Sequence, residues 1–332
     1  MVSDAPIVHI GYPKTASTWF QQSFYPHVRA PRYVERRRVN AAFLEGNALT
    51  FDPPEARRTL GLDDGGAGIL CEEGLCGYLH NGGVGGTVSR QVADEIKATL
   101  PDAHIVLFLR GQPSILVAAY QQYVRSGGTY QAHRYFFPGD YLSGPNAVTY
   151  KQPRFDIDFF LYSPLVEYYE TLFGRERLHL FLFEEFQAGG PEFLRRYASE
   201  LGLEVDWDAV SLAPRLASYG YLLSWAARFS NRFTARSVLD KHHVAHVPGW
   251  YKVRRLLLES LNRSGLFGRP PALDRLVGSK TAAWLASHYA ADNQHLAERY
   301  SLPLGDFDYP MGPVDEGLDR PRPSRLRGLL AS

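Results

Sequence analysis

Lysine and hydroxyl side chains cluster between residues 11 and 19, in the segment Gly-Tyr-Pro-Lys-Thr-Ala-Ser-Thr-Trp. The apolar residues Ile7, Val8 and Ile10 before it indicate a buried strand, and the hydroxyl residues stand where the first N–H groups of a helix need partners. A helix start offers free N–H groups and the positive end of the helix dipole, to which Lys14 adds a full charge. The segment therefore predicts a strand, an anion-binding loop and a helix.

The P-loop of nucleoside triphosphatases is the obvious comparison, but its spacing differs. That motif places four residues between its first glycine and the Gly-Lys pair. Here only Tyr12 and Pro13 separate Gly11 from Lys14, and Pro13 stands where the second glycine belongs. The spacing argues against a nucleoside triphosphatase.

The same segment resembles the 5′-phosphosulfate-binding loop of sulfotransferases that use 3′-phosphoadenosine 5′-phosphosulfate, in which Tyr-Pro-Lys-Ser-Gly-Thr-Thr-Trp is a common form. Five positions are identical to that form: Tyr12, Pro13, Lys14, Thr18 and Trp19. Thr15 and Ser17 exchange one hydroxyl residue for another, and Ala16 replaces a glycine. We expect Ala16 to be tolerated because alanine is compatible with a helical start. The resemblance implies that all nine residues from Gly11 to Trp19 bind the co-substrate.

A pair of glutamates follows the second predicted strand, Ile69 to Cys71. Ligands of α/β folds bind at the carboxyl ends of parallel strands. The segment resembles the bacterial strand-then-Glu-Gly-Leu form of these sulfotransferases, and that resemblance makes Glu73 the base that takes the acceptor's proton. Glu72 and then His80 are the next candidates. The alternative is that both glutamates are surface carboxylates at a strand end.

The most strand-like run of the chain extends from His104 to Leu109, and Arg110 follows it directly. This resembles the family's 3′-phosphate motif, in which a strand delivers an arginine and the next helix presents a serine eight residues later. Arginine suits the task because its planar fork gives two charge-assisted hydrogen bonds to one phosphate. Ala118 stands in the serine's place. Ser114, one turn earlier, is the candidate substitute, and an arginine paired with a local carboxylate is the alternative interpretation of Arg110.

Strand and helix patterns alternate up to about Leu201, and only helix patterns follow. This order predicts an α/β fold with a mainly parallel central sheet flanked by helices and a helical C-terminal part. The resemblance implies the P-loop-like sulfotransferase fold. We expect an α/β donor-binding core over residues 1–205, a helical part packed on it over 206–315, and a flexible tail over 316–332.

Charge, residue spacing and apolar runs argue against nucleic-acid binding, a metal site and a membrane span. A formal net charge of +1 indicates no nucleic-acid partner. Cys71 and Cys76 lack CxxC spacing and are expected to be buried small hydrophobic residues. The histidines at 242, 243 and 246 lack the H-E-x-x-H glutamate, so no metal is expected. No signal-peptide pattern or run of 18 apolar residues occurs, which predicts a cytoplasmic protein, with contact to a membrane surface as the alternative.

Two basic segments have competing interpretations. The segment from Arg29 to Asn40 is expected to be a solvated connection rather than a phosphate clamp. Trp250 to Leu261 alternates apolar with basic residues, and such a helix can lie on an anionic membrane. A helix with one side in the core and the other in solvent explains the same pattern and is the expectation here.

The resemblance implies sulfuryl transfer from 3′-phosphoadenosine 5′-phosphosulfate to a hydroxyl or amine of a saccharide, lipid or small metabolite, releasing 3′,5′-adenosine bisphosphate. The displacement is in line, with Glu73 as the base and Lys14 beside the leaving phosphate oxygen. The alternatives are a small-molecule kinase that uses ATP and a non-catalytic nucleotide-binding protein.

Overall fold

The computed structural model describes residues 4–63, 65–142, 153–211, 220–234, 241–242, 244–263, 270–313 and 317–320. The strands found there are β1 (Ile7–His9), β2 (Val28–Ala30), β3 (Arg32–Tyr33), β4 (Gly68–Cys71), β5 (His104–Leu109), β6 (Leu178–Leu182) and β7 (Glu204–Val205). The α-helices are α1 (Ser17–Trp19), α2 (Arg36–Phe43), α3 (Pro53–Leu60), α4 (Gly82–Gly85), α5 (Thr87–Thr99), α6 (Gln112–Arg125), α7 (Ala132–Phe136), α8 (Ser163–Phe173), α9 (Phe183–Glu200), α10 (Tyr221–Ser230), α11 (Trp250–Arg263), α12 (Leu273–Val277) and α13 (Ser279–Tyr300).

Five strands form a parallel sheet in the order β3-β4-β1-β5-β6. Ile7 on the central strand pairs with Ile69 on β4 and with His104 on β5. Helix α2 packs against β4, α8 against β5 and β6, and α9 against β6. The predicted α/β fold with a mainly parallel, helix-flanked sheet is therefore confirmed, and no strand follows β7 among the described residues.

The chain divides into two compact units that are interleaved along the sequence. Residues 1–110 and 161–215 form the first unit, and residues 111–160 and 216–332 form the second. All seven strands above belong to the first unit. The division into consecutive domains with a boundary at 205, which we expected from the sequence, stays a prediction. Of the predicted tail, residues 316 and 321–332 lie outside the described part of the chain.

The core of the first unit is an aromatic cluster against one face of the sheet. Its buried members include Phe20, Phe24, Tyr25, Phe108, Phe181, Phe193 and Tyr197. α1 continues without interruption into a π-helical turn, Phe20–Phe24, which supplies the first rings. Burial of such large rings dominates the favourable free energy of a core, so the loop before α1 is anchored by the residues directly after it.

Helices α6 and α13 of the second unit are joined by a buried amide pair. The Gln112 side-chain amide donates to Asn293 Oδ1 at 2.8 Å, and the Asn293 amide donates to Gln112 Oε1 at 2.9 Å. Both side chains are fully buried, and a buried polar atom without a hydrogen-bond partner would destabilise the fold. Each amide supplies the hydrogen-bond partner that the other needs.

The basic segment from Arg29 to Asn40 is solvated, since its five arginines are all exposed, but it is not an irregular connection. It contains part of β2, all of β3 and the start of α2. Arg36 at the first position of α2 forms an ion pair with Glu72, which lies just beyond β4. The sequence did not predict this ion pair, because the two residues are brought close only by the pairing of β3 with β4.

Cys71 and Cys76 are both buried and unbridged, which confirms their expected character. Burial raises the pKa of each thiol, so neither is poised to react as a thiolate. Within the described ranges, no helix is both long and apolar enough to cross a membrane.

Candidate functional site

The loop between β1 and α1 has an unusual backbone at alternate residues. Lys14 and Ala16 have φ values of 73° and 75°. A positive φ at alternate positions turns successive N–H groups toward a common side and forms an anion-binding concavity. The N–H groups at the start of α1 add to it, because they have no partner within the helix. The loop is therefore shaped for an anion, as its sequence predicts.

Ala16 does not occupy a helical start as we expected. It is the residue before α1 and lies in the left-handed region, with φ 75° and ψ 10°. An L-residue with a Cβ pays about 1–2 kcal/mol there, whereas glycine does not. The expectation was wrong because the chain must turn sharply to bring the N–H groups of α1 around the loop.

Replacing Ala16 with glycine is expected to stabilise the protein. Relief of the left-handed strain exceeds the added entropy of glycine in the unfolded chain, for a net gain of about 0.5–1 kcal/mol. The melting temperature should rise by about 1–3 °C. The matched control is Ala98→Gly on the exposed face of the right-handed helix α5, where the same change should cost up to about 1 kcal/mol. Destabilisation by both changes would contradict the left-handed backbone at Ala16.

Two hydroxyl groups of the loop donate their hydrogen within the protein. Thr15 Oγ1 donates to the Tyr12 carbonyl oxygen, and Ser17 Oγ donates to Glu73 Oε2 at 2.5 Å. Both residues are buried, whereas Thr18 is partly exposed. Since a hydroxyl has one hydrogen to donate, the groups left to bind an anion are the backbone N–H groups, Lys14 and Thr18.

The aromatic residues at the two ends of the motif anchor it. Tyr12 is buried and packs edge-on against Tyr162, with ring centroids 4.7 Å apart. Trp19 is buried and contacts Phe186 at a centroid distance of 5.0 Å. Pro13, between the first of these and the lysine, is also buried. Their predicted role in co-substrate binding stays a prediction, and the contacts described here hold the loop against the core.

The two glutamates after β4 have different partners. Glu72 is only 3% exposed; both of its oxygens accept hydrogen bonds from Arg36, and Oε1 also accepts one from the Gly74 N–H at 2.9 Å. Glu73 is partly exposed, and Ser17 engages one of its oxygens. Both oxygens of Glu72 are thus held within the protein, and the role of Glu73 as the base stays a prediction.

Arg110 lies beside the loop, as the sequence analysis requires. Its Nη1 donates to the Lys14 carbonyl oxygen at 2.7 Å, and its guanidinium stacks over the Phe183 ring at 4.3 Å. Its own carbonyl accepts a hydrogen bond from the Tyr162 hydroxyl at 2.6 Å. Because β1 and β5 are neighbouring parallel strands, their carboxyl ends bring the two predicted cations together.

His80, the third candidate base, lies near the same lysine. Burial lowers its pKa to about 4, with the nearby Lys14 ammonium as the second cause. It is therefore neutral at pH 7, but a conjugate acid with this pKa makes it a weak base.

Ser114 and Ala118 both lie on α6, in the second unit, and the phosphate-binding role of Ser114 stays a prediction.

Sequence reasoning missed a buried histidine directly beneath the loop. His9 ends β1 and is fully buried; its Nδ1 lies 2.7 Å from the Tyr25 hydroxyl, which is 2.6 Å from the Tyr197 hydroxyl. A Cβ at Gly11 would come within 2.8 Å of His9 Nε2, so only glycine fits there. The signal in the sequence was a polar residue inside an apolar strand run, two residues before a glycine.

The buried His9 is expected to make the protein less stable in acid. Burial among Tyr25, Phe20 and Phe108 lowers its pKa from 6.5 to about 3. The unfolded chain therefore takes up this proton first, and stability falls as the pH drops below 6.5. The loss is about 2 kcal/mol between pH 7 and pH 5, and urea unfolding at several pH values measures it.

The change His9→Asn should remove the part of the pH dependence of the unfolding free energy that comes from proton uptake by His9. His80 should still lower stability in acid, by a smaller amount. NMR of the folded protein offers a direct check. A ring signal of His9 that titrates near pH 6.5 would contradict the prediction.

Comparisons with known proteins were made on the whole chain. No protein-family model matches it, and no curated protein does. Among solved structures, a sulfotransferase from Alicyclobacillus acidocaldarius matches with 16% identity and a TM-score of 0.45, over 65% of this chain and 87% of that one. The sulfotransferase domain from the curacin biosynthetic pathway matches with 10% identity and a TM-score of 0.34, over 92% of this chain and all of that one.

Proposed function

We propose that this chain transfers a sulfuryl group from 3′-phosphoadenosine 5′-phosphosulfate to a hydroxyl or amine of a small metabolite, lipid or saccharide. The observation that carries the proposal is the meeting of Lys14, Arg110 and Glu73 at the carboxyl ends of β1, β5 and β4. Two cations suit a ligand that is charged at both its 5′ and 3′ ends, and the carboxylate suits an acceptor that must lose a proton.

The chemistry of the loop fits the phosphosulfate end of this donor. The N–H groups around Lys14 and Ala16, the Lys14 ammonium and the Thr18 hydroxyl would hold its oxygens. Arg110 uses one N–H on the Lys14 carbonyl and has further donors in its fork for the 3′-phosphate. In this proposal Ser17 orients Glu73, and its predicted contact with the phosphosulfate stays a prediction.

The chemical step balances with the groups at hand. The acceptor oxygen or nitrogen forms a bond to sulfur while the bond from sulfur to the bridging 5′-phosphate oxygen breaks. Glu73 Oε1 takes the acceptor's proton, and Ser17 holds the other carboxylate oxygen in place. Lys14 offsets the negative charge that develops on the departing phosphate oxygen. The products are a sulfated acceptor and 3′,5′-adenosine bisphosphate.

The test is to incubate the purified protein with this donor and a panel of alcohols, amines, sugars and lipids, and to measure the release of 3′,5′-adenosine bisphosphate. Acceptor-dependent release supports the proposal. Thermal stabilisation by ATP and magnesium but not by the bisphosphate would instead favour a kinase. Tight bisphosphate binding without sulfation of any acceptor, cell extract included, would indicate a non-catalytic binding protein.

The change Arg110→Lys should weaken binding of 3′,5′-adenosine bisphosphate by about 10- to 100-fold, because an ammonium keeps the charge but loses the bidentate fork. Adenosine 5′-phosphosulfate, which lacks the 3′-phosphate, is the matched control ligand, and its affinity should fall much less. Calorimetry with both ligands measures the difference. An equal loss for both would mean that Arg110 supports the loop through the Lys14 carbonyl and does not bind the 3′-phosphate.

A further inference from the structure

Exposed apolar side chains are concentrated in one part of the second unit. Nine of the twelve large hydrophobic side chains that are exposed among the described residues lie between positions 222 and 261. We call them the α10–α11 surface: Leu222, Trp225, Phe229, Val244, Val247, Val253, Leu256, Leu257 and Leu261. Contiguous exposed apolar groups of this kind mark interaction sites in soluble proteins.

Helix α11 has one buried and one exposed side, as its sequence led us to expect, but several of its apolar residues lie on the exposed side. It buries Arg254 and Leu258, whereas Leu256 is 69% exposed and Leu257 and Val253 are also exposed. The exposed apolar residues at 253, 256, 257 and 261 follow helical spacing and lie on one face. The guanidinium of Arg254 packs inward over the Tyr251 ring and takes part of the buried side.

Helix α10 contributes the second part of this surface. Leu222, Trp225 and Phe229 are spaced three and four residues apart and lie on one face, with the last two rings stacked 6.1 Å apart. The two helices pack against each other. The segment that carries Val244 joins the end of α10, where the Val244 N–H donates to the Arg232 carbonyl at 2.7 Å. The apolar groups thus belong to adjoining elements.

The same region is strongly basic. Residues 220–263 contain eight Lys or Arg and two Asp or Glu, a formal charge of +6, although the whole chain carries only +1. Exposed cations lie beside the apolar groups: Arg232 lies over the Phe229 ring at 5.7 Å, and Lys252 directly precedes Val253 on α11. The rest of the chain has a formal charge of −5, so the positive charge is local.

We propose that the α10–α11 surface binds an anionic lipid bilayer. Leucine, valine and aromatic groups would enter the boundary of the acyl region, while lysine and arginine would contact the headgroups. A second copy of this chain fits less well, because a twofold interface would set two strongly positive surfaces against each other. Nucleic acid offers no apolar region for the leucines. This binding needs no nucleotide and is independent of the proposed reaction.

The experiment is co-sedimentation of the full chain with vesicles. Vesicles with about one third phosphatidylglycerol should bind the protein, and vesicles of phosphatidylcholine alone should bind it at least about tenfold more weakly. Salt at 0.5 M should weaken binding, because headgroup charge is screened. Size-exclusion chromatography of the same protein reports its oligomeric state.

Variants separate the contribution of charge to vesicle binding from the contribution of the apolar side chains. Lys252→Gln with Arg232→Gln should weaken binding by about 25-fold, since each charge contributes roughly fivefold. Leu256→Gln with Leu257→Gln should weaken it by about tenfold or more. The controls are Arg37→Gln with Arg195→Gln, two exposed arginines of the first unit, and Leu49→Gln, an exposed leucine of that unit. The controls should bind as the unchanged protein does.

Because the changed leucines are exposed, these variants should fold, and equal circular dichroism spectra verify this. Absence of binding to anionic vesicles would overturn the proposal, as would binding that the leucine changes leave intact. A dimer that dissociates on Leu256→Gln would assign the surface to a second copy instead. Binding to an acidic protein but not to vesicles would also overturn it.

Discussion

Replacing Glu73 with glutamine is expected to lower the rate of sulfuryl transfer by roughly 10²–10⁴-fold while the protein stays folded. Glutamine has the size of glutamate, and its carbonyl oxygen still accepts the hydrogen bond that Ser17 donates to Glu73. The amide cannot take a proton from the acceptor. Steady-state kinetics should therefore show a loss in kcat with little change in the KM of the donor.

Glu72 provides the matched comparison, because it is the adjacent carboxylate and has a different set of partners. Glu72→Gln weakens the ion pair with Arg36 and should cost about 1–3 kcal/mol of stability. The folded fraction of that variant should keep its turnover. If Glu72→Gln abolished turnover and Glu73→Gln did not, the two roles would have to be exchanged. Activity retained by both variants would leave His80 as the base.

Replacing Lys14 with methionine is expected to reduce kcat/KM by roughly 10²–10³-fold, the range found when one charge-stabilising donor is removed from an active site. Methionine keeps much of the apolar stem, and its Cβ places the same demand on a backbone that already has φ 73°. Arg110 contacts the carbonyl of this residue, which the substitution leaves in place. The loss in kcat/KM therefore measures the contribution of the Lys14 ammonium group.

A second measurement on Lys14→Met is independent of turnover. The Lys14 ammonium contributes to the lowered pKa of His80, so its removal should raise that pKa from about 4. Burial, the larger cause, stays in place, and the value should remain below 6.5. NMR titration of His80 follows the change. Arg37→Met, on the exposed side of α2, is the control and should alter neither turnover nor the titration.

Two results would contradict this role of Lys14. Full activity of Lys14→Met with a raised His80 pKa would place the ammonium near His80 but outside the reaction. An unchanged His80 pKa would mean that the ammonium points elsewhere.

The main strands of the sheet were predictable because each is an apolar run long enough to be buried on both sides. Ile69–Cys71 and His104–Leu109 are of this kind, and the observed β4 and β5 match them closely. β3 was missed, since Arg32 and Tyr33 are neither apolar nor alternating. Their strand exists because they pair with Gly68 and Ile69 on β4, a contact that no local pattern encodes.

The site was predictable in part for the same reason. The carboxyl ends of neighbouring parallel strands must meet, so the residues that follow β1, β4 and β5 were expected to share one edge of the sheet. The sequence does not tell which of two adjacent carboxylates faces the loop. In the structure Arg36 donates hydrogen bonds to Glu72, and Glu73 accepts the hydrogen bond from Ser17.

The local elements follow from the sequence alone: an apolar strand, a loop with a lysine among hydroxyl residues, and an arginine at a strand end. These features arise within a few residues, where propensity, spacing and charge act locally. Tertiary packing settles that Ala16 turns left-handed, that Ser17 donates to Glu73 and that α11 exposes three of its four leucines. Each of these depends on groups far apart in the chain or on competition for one buried position, and the packing of the whole unit settles such competition.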